Sequence, residues 1–583
     1  MSQTSELPRW DLEPLFPSLD SKEFNDAWSG LSQRLDCLEA LFVKHRVGQR
    51  AFQESDKAAF NEIVSAINQF YEAWTPISAF IYAHVTTDSA NTLAQAKLSE
   101  MDQLQLRYQK LKPRLTPWLA GLDTDRVQAG RYQILIDEAK VQAAHMMSEA
   151  EEVLAAELAL SGGTAFARLH SNLSSQISAL VNGEELPMAA VRNLAFSPDE
   201  SVRKAAYQAE LGAWKANEVA LAAALNGWKG QQCTLNRKRG WSNDLEPTLH
   251  ANRITEQSLE AMISAMKQSL PAWRRYFLAK AKALGKPKLD WWDLFAPLSG
   301  STQGWSWLEA RKFIAEKLAT FSQSNGGLAE RAFAERWIDA EPRKGKVGGA
   351  YCMPVGKGQS RILSNYQPTF DAVSTLAHEL GHAYHNLQLA RVPAILRDLP
   401  MTLAETASIM NQTIVVQAAL EELPENERLV VLEADLQDTA QVIVDIYSRF
   451  LFEQTVFAKR KERELSPEEF RDFMLEAQKE AYGDALASYH PYMWAVKGHY
   501  YGIDFYNYPY AFGLLFSLAL YQQYQQQGAA FVERYDDLLS AVGTYPAKEL
   551  AARFGFDLEA RAFWDLGIGV LTERIARFER LVG

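Results

Sequence analysis

One stretch constrains this chain more than any other: Thr375-Leu376-Ala377-His378-Glu379-Leu380-Gly381-His382-Ala383-Tyr384-His385. Its H-E-x-x-H pattern predicts a helix. Residues four apart then share a face, with Cβ atoms roughly 5–6 Å apart. Two imidazoles so placed can reach one ion at ~2.0–2.1 Å. Glu379, between them in sequence, can present a carboxylate to water on that ion. Val373, Leu376, Ala377, Leu380, Ala383 and Leu387 form an apolar stripe, which leaves His378 and His382 on another face. The bland alternative is a polar helix face carrying two solvated histidines. Gly381 speaks against it. Glycine inside a helix costs about 1 kcal/mol relative to alanine, so its presence implies that something packs against the backbone there.

Composition narrows the rest. At 583 residues the chain exceeds one compact core, and length alone suggests about four units of ordinary size. A hydrophobic content of 47% with 23% charged residues is that of a soluble globular protein. A net charge of −12 argues against nucleic acid as a partner, because its binders need clustered basic surface. Met1 to Glu6 lacks the basic-then-apolar order of a secretory signal. The most apolar late run, Ala511 to Tyr521, is about half of the ~20 residues needed to span a bilayer, so no membrane partner is expected. Cys37, Cys233 and Cys352 are widely spaced, with no C-x-x-C pair, which fits a reducing compartment; a cytoplasmic location is the expectation. Nothing here bears on oligomeric state.

After an irregular opening with Pro8, Pro14 and Pro17, Ser21 to Phe42, Asp56 to Val85 and Asn91 to Lys112 carry helical apolar spacing. Pro113 and Pro117 interrupt it. A further helical stretch is expected from about Thr124 to Leu160, then a loop at Ser161-Gly162-Gly163 and a polar segment with short strands toward Pro187. Ser197-Pro198-Asp199 reads as a helix start before Glu200 to Trp228, and Thr255 to Leu284 as another helix. Trp291-Trp292-Asp293 and Pro297-Leu298-Ser299-Gly300 read as connections. Lys344 to Tyr366 is glycine-rich, with a strand expected at Arg361 to Tyr366. There is no internal repeat and no low-complexity segment.

A cation used in catalysis takes three protein ligands and keeps one position open, so a third ligand is needed. Glu405 lies in what reads as the first turn of a helix, within Leu403-Ala404-Glu405-Thr406-Ala407-Ser408. It is either that ligand or an ordinary first-turn acid favoured by the helix dipole. Donors for a developing oxyanion are best sought from Ser488 to Tyr510, which is rich in histidine and tyrosine; an aromatic core is the plainer reading for most of them. Gly348, Gly349, Ala350 and Tyr351, before the expected strand, suggest either a tight turn or a place where an extended peptide lies along a strand edge. No G-x-S-x-G elbow occurs, and Gly356-Lys357-Gly358 fails the phosphate-loop pattern.

These residues resemble the M3 family of zinc metallopeptidases, in particular its oligoendopeptidase F-like branch. The matching segments are Gly348-Gly349-Ala350-Tyr351-Cys352, Thr375 to His385, Leu403 to Ser408, His499-Tyr500-Tyr501 and Phe505-Tyr506-Asn507-Tyr508, and the similarity runs from Trp10-Asp11-Leu12 nearly to the C-terminus. The resemblance implies a mostly α-helical, two-lobed fold with a small sheet beside the motif helix and a deep substrate cleft. Residues 1–198 would form the N-terminal helical lobe and 199–583 the catalytic domain. It implies one Zn2+ on His378, His382 and Glu405, with Glu379 as general base and later acid. His499, Tyr506 and then Tyr508 would face the substrate or oxyanion, and the substrates would be short oligopeptides. His385 would belong to the core or to the surroundings of the ligands, and Cys352 to packing. Where many relatives have an acid seven positions after the third ligand, this chain has Gln412. The spacing from His499 to the tyrosines also departs from the mammalian-type oligopeptidases. Two rival expectations remain: an exopeptidase such as a dipeptidyl carboxypeptidase, and a peptide-binding protein with a structural metal.

Overall fold

The computed structural model describes residues 7–298 and 304–583. Met1 to Glu6, and Ser299 and Gly300 of the expected connection, lie outside them. The described chain is mostly helical, with a two-stranded and a three-stranded sheet. Its contacts divide it into two compact units, each assembled from three separated segments. One comprises Met1–His145, Gln303–Ala418 and Gln523–Phe554; the other comprises Met146–Thr302, Ala419–Gln522 and Gly555–Gly583. The single division near residue 198 expected from sequence is not where this partition falls. The physical reason is that the chain leaves and re-enters each core, and helical periodicity carries no record of that.

In the first unit, the Lys22–Lys44 helix starts at Ser21, whose hydroxyl accepts from the Phe24 N–H. Its Phe24, Leu31, Leu35, Leu38 and Phe42 form a stripe buried with Phe60, Ile63, Ile67 and Phe70 of the Asp56–Thr87 helix. Three strands follow later in the chain. Gln359–Leu363 lies at the centre of the sheet, parallel to Ile338–Asp339 and antiparallel to Tyr351–Gly356. Among the described residues the Tyr351–Gly356 strand has no partner on its outer side. Pro354, which lacks an N–H, suits such an edge position. The motif helix, Phe370–Leu389, packs on this sheet and is tied to it by Asn386 Nδ2, which donates to Ser360 Oγ at 3.0 Å.

In the second unit, Trp214, Leu221 and Leu225 of the Glu200–Lys238 helix pack with Phe452 and Val456 of the Ile446–Arg460 helix and with Phe470 and Trp494. The Glu256–Ala283 and Arg561–Val582 helices pack against each other. The expected continuous stretch from Thr124 to Leu160 is broken instead. A turn at Gly130, with φ +55°, separates Thr124–Val127 from Gln133–Ala144. A capping box at Ser148 and Glu151 then starts Glu149–Ser161. The loop expected after Ser161 shrinks to Gly162, and the next element is a helix, Gly163–Gln176. Its first N–H is taken by Gln231 Oε1 at 2.6 Å, a partner far along the chain. The short strands do occur, at Ser178–Val181 and Glu184–Pro187. Ala511 to Tyr521 is buried within the Tyr508–Gln527 helix, and no helix among the described residues is long and apolar enough to cross a membrane.

Candidate metal and catalytic site

The motif helix begins at Thr369, whose hydroxyl accepts from the Ala372 N–H. Val373, Leu376, Ala377, Leu380 and Ala383 are completely buried. That burial turns His378 and His382 to the one face left partly open, their side chains 26% and 24% exposed. The apolar stripe therefore orients the imidazoles.

Glu405 sits at the break between Met401–Ala404 and the Thr406–Glu422 helix, rather than inside a first turn. It reaches the imidazoles because the two helices meet backbone to backbone at Gly381. A Cβ on Gly381 would stand 2.3 Å from the Ala407 carbonyl oxygen and 2.5 Å from Ser408 Cα. This close approach is the reason for a glycine in mid-helix. As a result Glu405 Oε2 lies 3.2 Å from His378 Nε2 and 3.3 Å from His382 Nε2. Two ligands of one tetrahedral cation, each at ~2.0–2.1 Å, stand about 3.3–3.4 Å apart. Glu405 Oε2 has that spacing from each imidazole nitrogen, and among the described residues the three side chains form a group able to hold a metal ion, with donor atoms within 4.8 Å of one another.

Two neighbours prepare the donors. His378 Nδ1 is 3.0 Å from Gln412 Oε1; as the amide oxygen can only accept, Nδ1 carries a proton, and Nε2 faces Glu405, sharing a proton with that carboxylate when no cation is bound. Ser408 donates its hydroxyl to Glu405 Oε2 at 2.6 Å. Gln412 is where an acid was expected by resemblance, and it keeps the acceptor while removing the charge. Ser408 reaches the carboxylate of Glu405 because it lies one helical turn beyond that residue. Burial would push the Glu405 carboxyl up, but hydrogen bonds from His378 and His382 outweigh it and hold the group far below the ordinary carboxylate range. Burial would likewise lower His378, and Glu405 reverses that, so the imidazole is raised.

Glu379 faces a different environment. It is 6% exposed, and its Oε2 has no hydrogen-bond partner among the described residues. Burial raises this carboxyl, against the pull of His378 and His382. A buried carboxylate oxygen without a partner, beside a set of cation donors, is a competent proton acceptor. His385 is buried and drawn down to about 4 by burial and by His382, so it stays neutral in the core. Burial and the nearby Glu379 keep the Cys352 thiol protonated, which suits packing and not nucleophilic chemistry.

Gly348 and Gly349 are exposed, and a Cβ at either position would meet nothing within 4 Å; Gly349 has φ +80°. Asn365 Nδ2 holds this turn by donating to the carbonyls of Val347 and Gly349, each at 3.0 Å. Ala350 is half-buried, and Tyr351 opens the edge strand. The Tyr351 hydroxyl is 2.6 Å from Thr86 Oγ1.

His499, Tyr506 and Tyr508 belong to the second unit. His499 is exposed and its ring lies 4.3 Å from that of Tyr506. Partial desolvation of the ring lowers His499, with Arg449 and Lys497 adding to the effect. Tyr506 is half-buried and its hydroxyl is 2.7 Å from that of Tyr510. Tyr508 differs. It is 1% exposed, and its hydroxyl donates to the Thr248 carbonyl at 3.1 Å and takes a bond from Asn252 Nδ2 at 3.1 Å. That phenol is committed to the core, which favours Tyr506 over Tyr508 as a group that meets substrate.

Residues 316–570 match the profile of peptidase family M3. The chain is 26% identical over 532 residues to Group B oligopeptidase PepB of Streptococcus agalactiae, covering 86% of this chain and 87% of that one. It is 27% identical to an oligoendopeptidase F homolog of Lactococcus lactis, covering 80% and 78%. A solved chain from Chlamydophila abortus shares its fold, with a TM-score of 0.85 at 20% identity over 98% of each chain.

Proposed function

We infer from its membership of peptidase family M3, and from the geometry above, that this metallo-oligopeptidase hydrolyses internal bonds of short, unstructured peptides at one zinc ion. His378, His382 and Glu405 would hold the ion. The observation that carries this reading is the approach of Glu405 Oε2 to His378 Nε2 and His382 Nε2 at 3.2 and 3.3 Å, beside the Glu379 Oε2 that has no partner among the described residues. Two imidazoles and one carboxylate are a donor set suited to zinc, and they leave a place for substrate. When bound, Zn2+ supplies a Lewis acid that polarises a peptide carbonyl and acidifies water.

The residues do the rest. Gln412 and Ser408 keep His378 and Glu405 in the orientation and protonation state that a cation requires. Glu379 takes a proton at Oε2 from the attacking water and later delivers it to the leaving nitrogen. Tyr506 and His499 would donate to the carbonyl oxygen as charge grows on it, a role taken from the family resemblance; in its support, His499 is exposed, Tyr506 is half-buried and their rings lie against each other. The outer edge of Tyr351–Gly356 offers backbone groups to an extended peptide, independent of its side chains. The restriction to short peptides rests on the relatives' names. Three unpaired cysteines support a reducing, cytoplasmic setting.

The test is mass-spectrometric mapping of cleavage products from a mixed peptide library, with wild type, Glu379→Gln and chelator-treated protein. Glu379→Gln keeps its zinc and loses turnover by roughly 10²–10⁴-fold. Parallel loss of zinc and activity would refute the division of roles. Peptides cut internally whether or not their C-termini are amidated support an endopeptidase; cleavage confined to free C-termini would favour the exopeptidase.

A further inference from the structure

We propose that Lys229, Glu453 and Asp504 form a positioning network that sets the Tyr506 side chain for catalysis. The inference rests on the reading of Tyr506 as a donor to the substrate. All of its members belong to one compact unit.

The observation is a strained residue held by buried charges. Phe505, immediately before Tyr506, has φ +50°. A bulky aromatic residue rarely occupies the left-handed region, and it stays there only when its surroundings over-determine it. Here they do. The Phe505 N–H donates to Glu453 Oε1 at 2.9 Å. The same oxygen accepts from Lys229 Nζ at 2.5 Å, and Lys229 also donates to Asp504 Oδ1 at 2.8 Å. Trp228 Nε1 adds a bond to Asp504 Oδ1 at 3.0 Å. The Phe505 ring stacks on Phe457 at 5.2 Å, and Lys229 Nζ lies 4.5 Å from the centre of that Phe457 ring.

Lys229 and Glu453 side chains are 1% and 2% exposed. Both come from long helices, Glu200–Lys238 and Ile446–Arg460, so the turn at 504–505 is bolted to two rigid elements. On the far side of Tyr506, Asn507 Oδ1 accepts from Arg449 Nη1 at 3.0 Å. Tyr506 is thus fixed on both flanks, while its own ring rests on His499 and its hydroxyl meets Tyr510.

A buried ion pair is an inefficient way to stabilise a core; apolar residues of similar volume often do as well or better. A strained backbone adds cost. Retaining both next to Tyr506, which is half-buried where Tyr508 is closed into the core, is explained if the network's output is the geometry of the Tyr506 hydroxyl. A misplacement of about 1 Å at a catalytic group can cost 10²-fold in rate.

The experiment uses full-length, zinc-loaded enzyme. Lys229→Met with Glu453→Gln removes both charges of the buried pair and leaves Asp504, whose side chain is 17% exposed, with its bond from Trp228. Asp504→Asn is the milder variant, and it keeps the Lys229–Glu453 pair. Each is made in the wild-type and Tyr506→Phe backgrounds. The expected result is kcat lower by roughly 10–100-fold, with KM and zinc content near the parent values. In the Tyr506→Phe background the same changes have no further effect on kcat. A folded network variant with parental kcat overturns the proposal, as does an equal loss in both backgrounds, which marks a general effect on the fold. If the paired variant does not fold, Asp504→Asn decides by the same cycle. A silent Tyr506→Phe overturns the donor reading itself; this differs from failure of the network alone, where Tyr506→Phe is slow and the network variants are not.

Discussion

Gly381→Ala sets two effects of opposite sign against each other. On helix propensity alone, alanine should stabilise the motif helix by about 1 kcal/mol. The contact geometry opposes this. The new Cβ would stand 2.3 Å from Ala407 O and 2.5 Å from Ser408 Cα, where ordinary contact begins near 3.4 Å. Both obstacles are backbone, so no side chain can swing aside, and the two helices must part by about 1 Å. Overpacking of this kind costs typically 1–3 kcal/mol. The steric effect offsets the propensity gain and, at its upper end, exceeds it, so we expect metal-free protein to lose up to about 2 kcal/mol of stability. The consequence at the site is larger. Glu405 is two residues from Ala407, so the same separation moves Oε2 away from imidazoles that it now meets at 3.2 and 3.3 Å. That exceeds the ~3.3–3.4 Å span of one tetrahedral ion. Zinc affinity should fall by at least about tenfold, the lower end for losing support of a ligand. Urea unfolding of the metal-free proteins measures the first effect, and competition with a chromophoric chelator the second. A variant that is more stable by the propensity gain and binds zinc as before would refute the close-approach argument.

Gln412→Glu places a carboxylate opposite His378 Nδ1–H without changing side-chain length. The imidazole becomes a stronger donor, and zinc should be released to chelator about tenfold more slowly; faster release would contradict the assigned tautomer. Glu210 is buried, and although burial alone would raise it, hydrogen bonding and charge from His490 and charge from Arg192 hold it at about 2. Its folded value lies below its unfolded one, so it stabilises above pH ~4.5 by on the order of 3 kcal/mol, and that contribution fades as pH falls toward about 2. Urea melts of wild type and Glu210→Gln should therefore differ near pH ~5 and converge in acid; a gap that persists at the lowest pH would refute it. In native protein at pH 8, exposed Cys37 should be alkylated well before Cys352, whose thiol is kept protonated by burial and Glu379. Mass-spectrometric peptide mapping reads the order, and early labelling of Cys352 would count against a thiol held protonated.

How much could be read in advance depended on whether the signal was local. The spacing of His378 and His382 and the apolar stripe beside them were sufficient to place two donors on one helix face. The out-of-place Gly381 correctly announced a close neighbour, though not its identity. Pattern failed where partners came from afar. Gln231, which caps Gly163 from 68 residues away, turned an expected loop into a helix start. By resemblance Tyr508 stands just behind Tyr506, and only its burial against Thr248 and Asn252 separates the two decisively.

The order of residues alone determined that a two-histidine helix face would exist, because a helix of period 3.6 converts sequence spacing into direction. It also determined that Ala511 to Tyr521 would be hidden, since so apolar a run has no favourable exposed arrangement. The folded chain decided which carboxylate meets those histidines, which amide orients them, and how Lys229 comes to join Glu453 and Asp504, 224 and 275 residues away. Contacts across such separations are set by how helices pack, and packing is a property of the whole core that no short window of sequence contains.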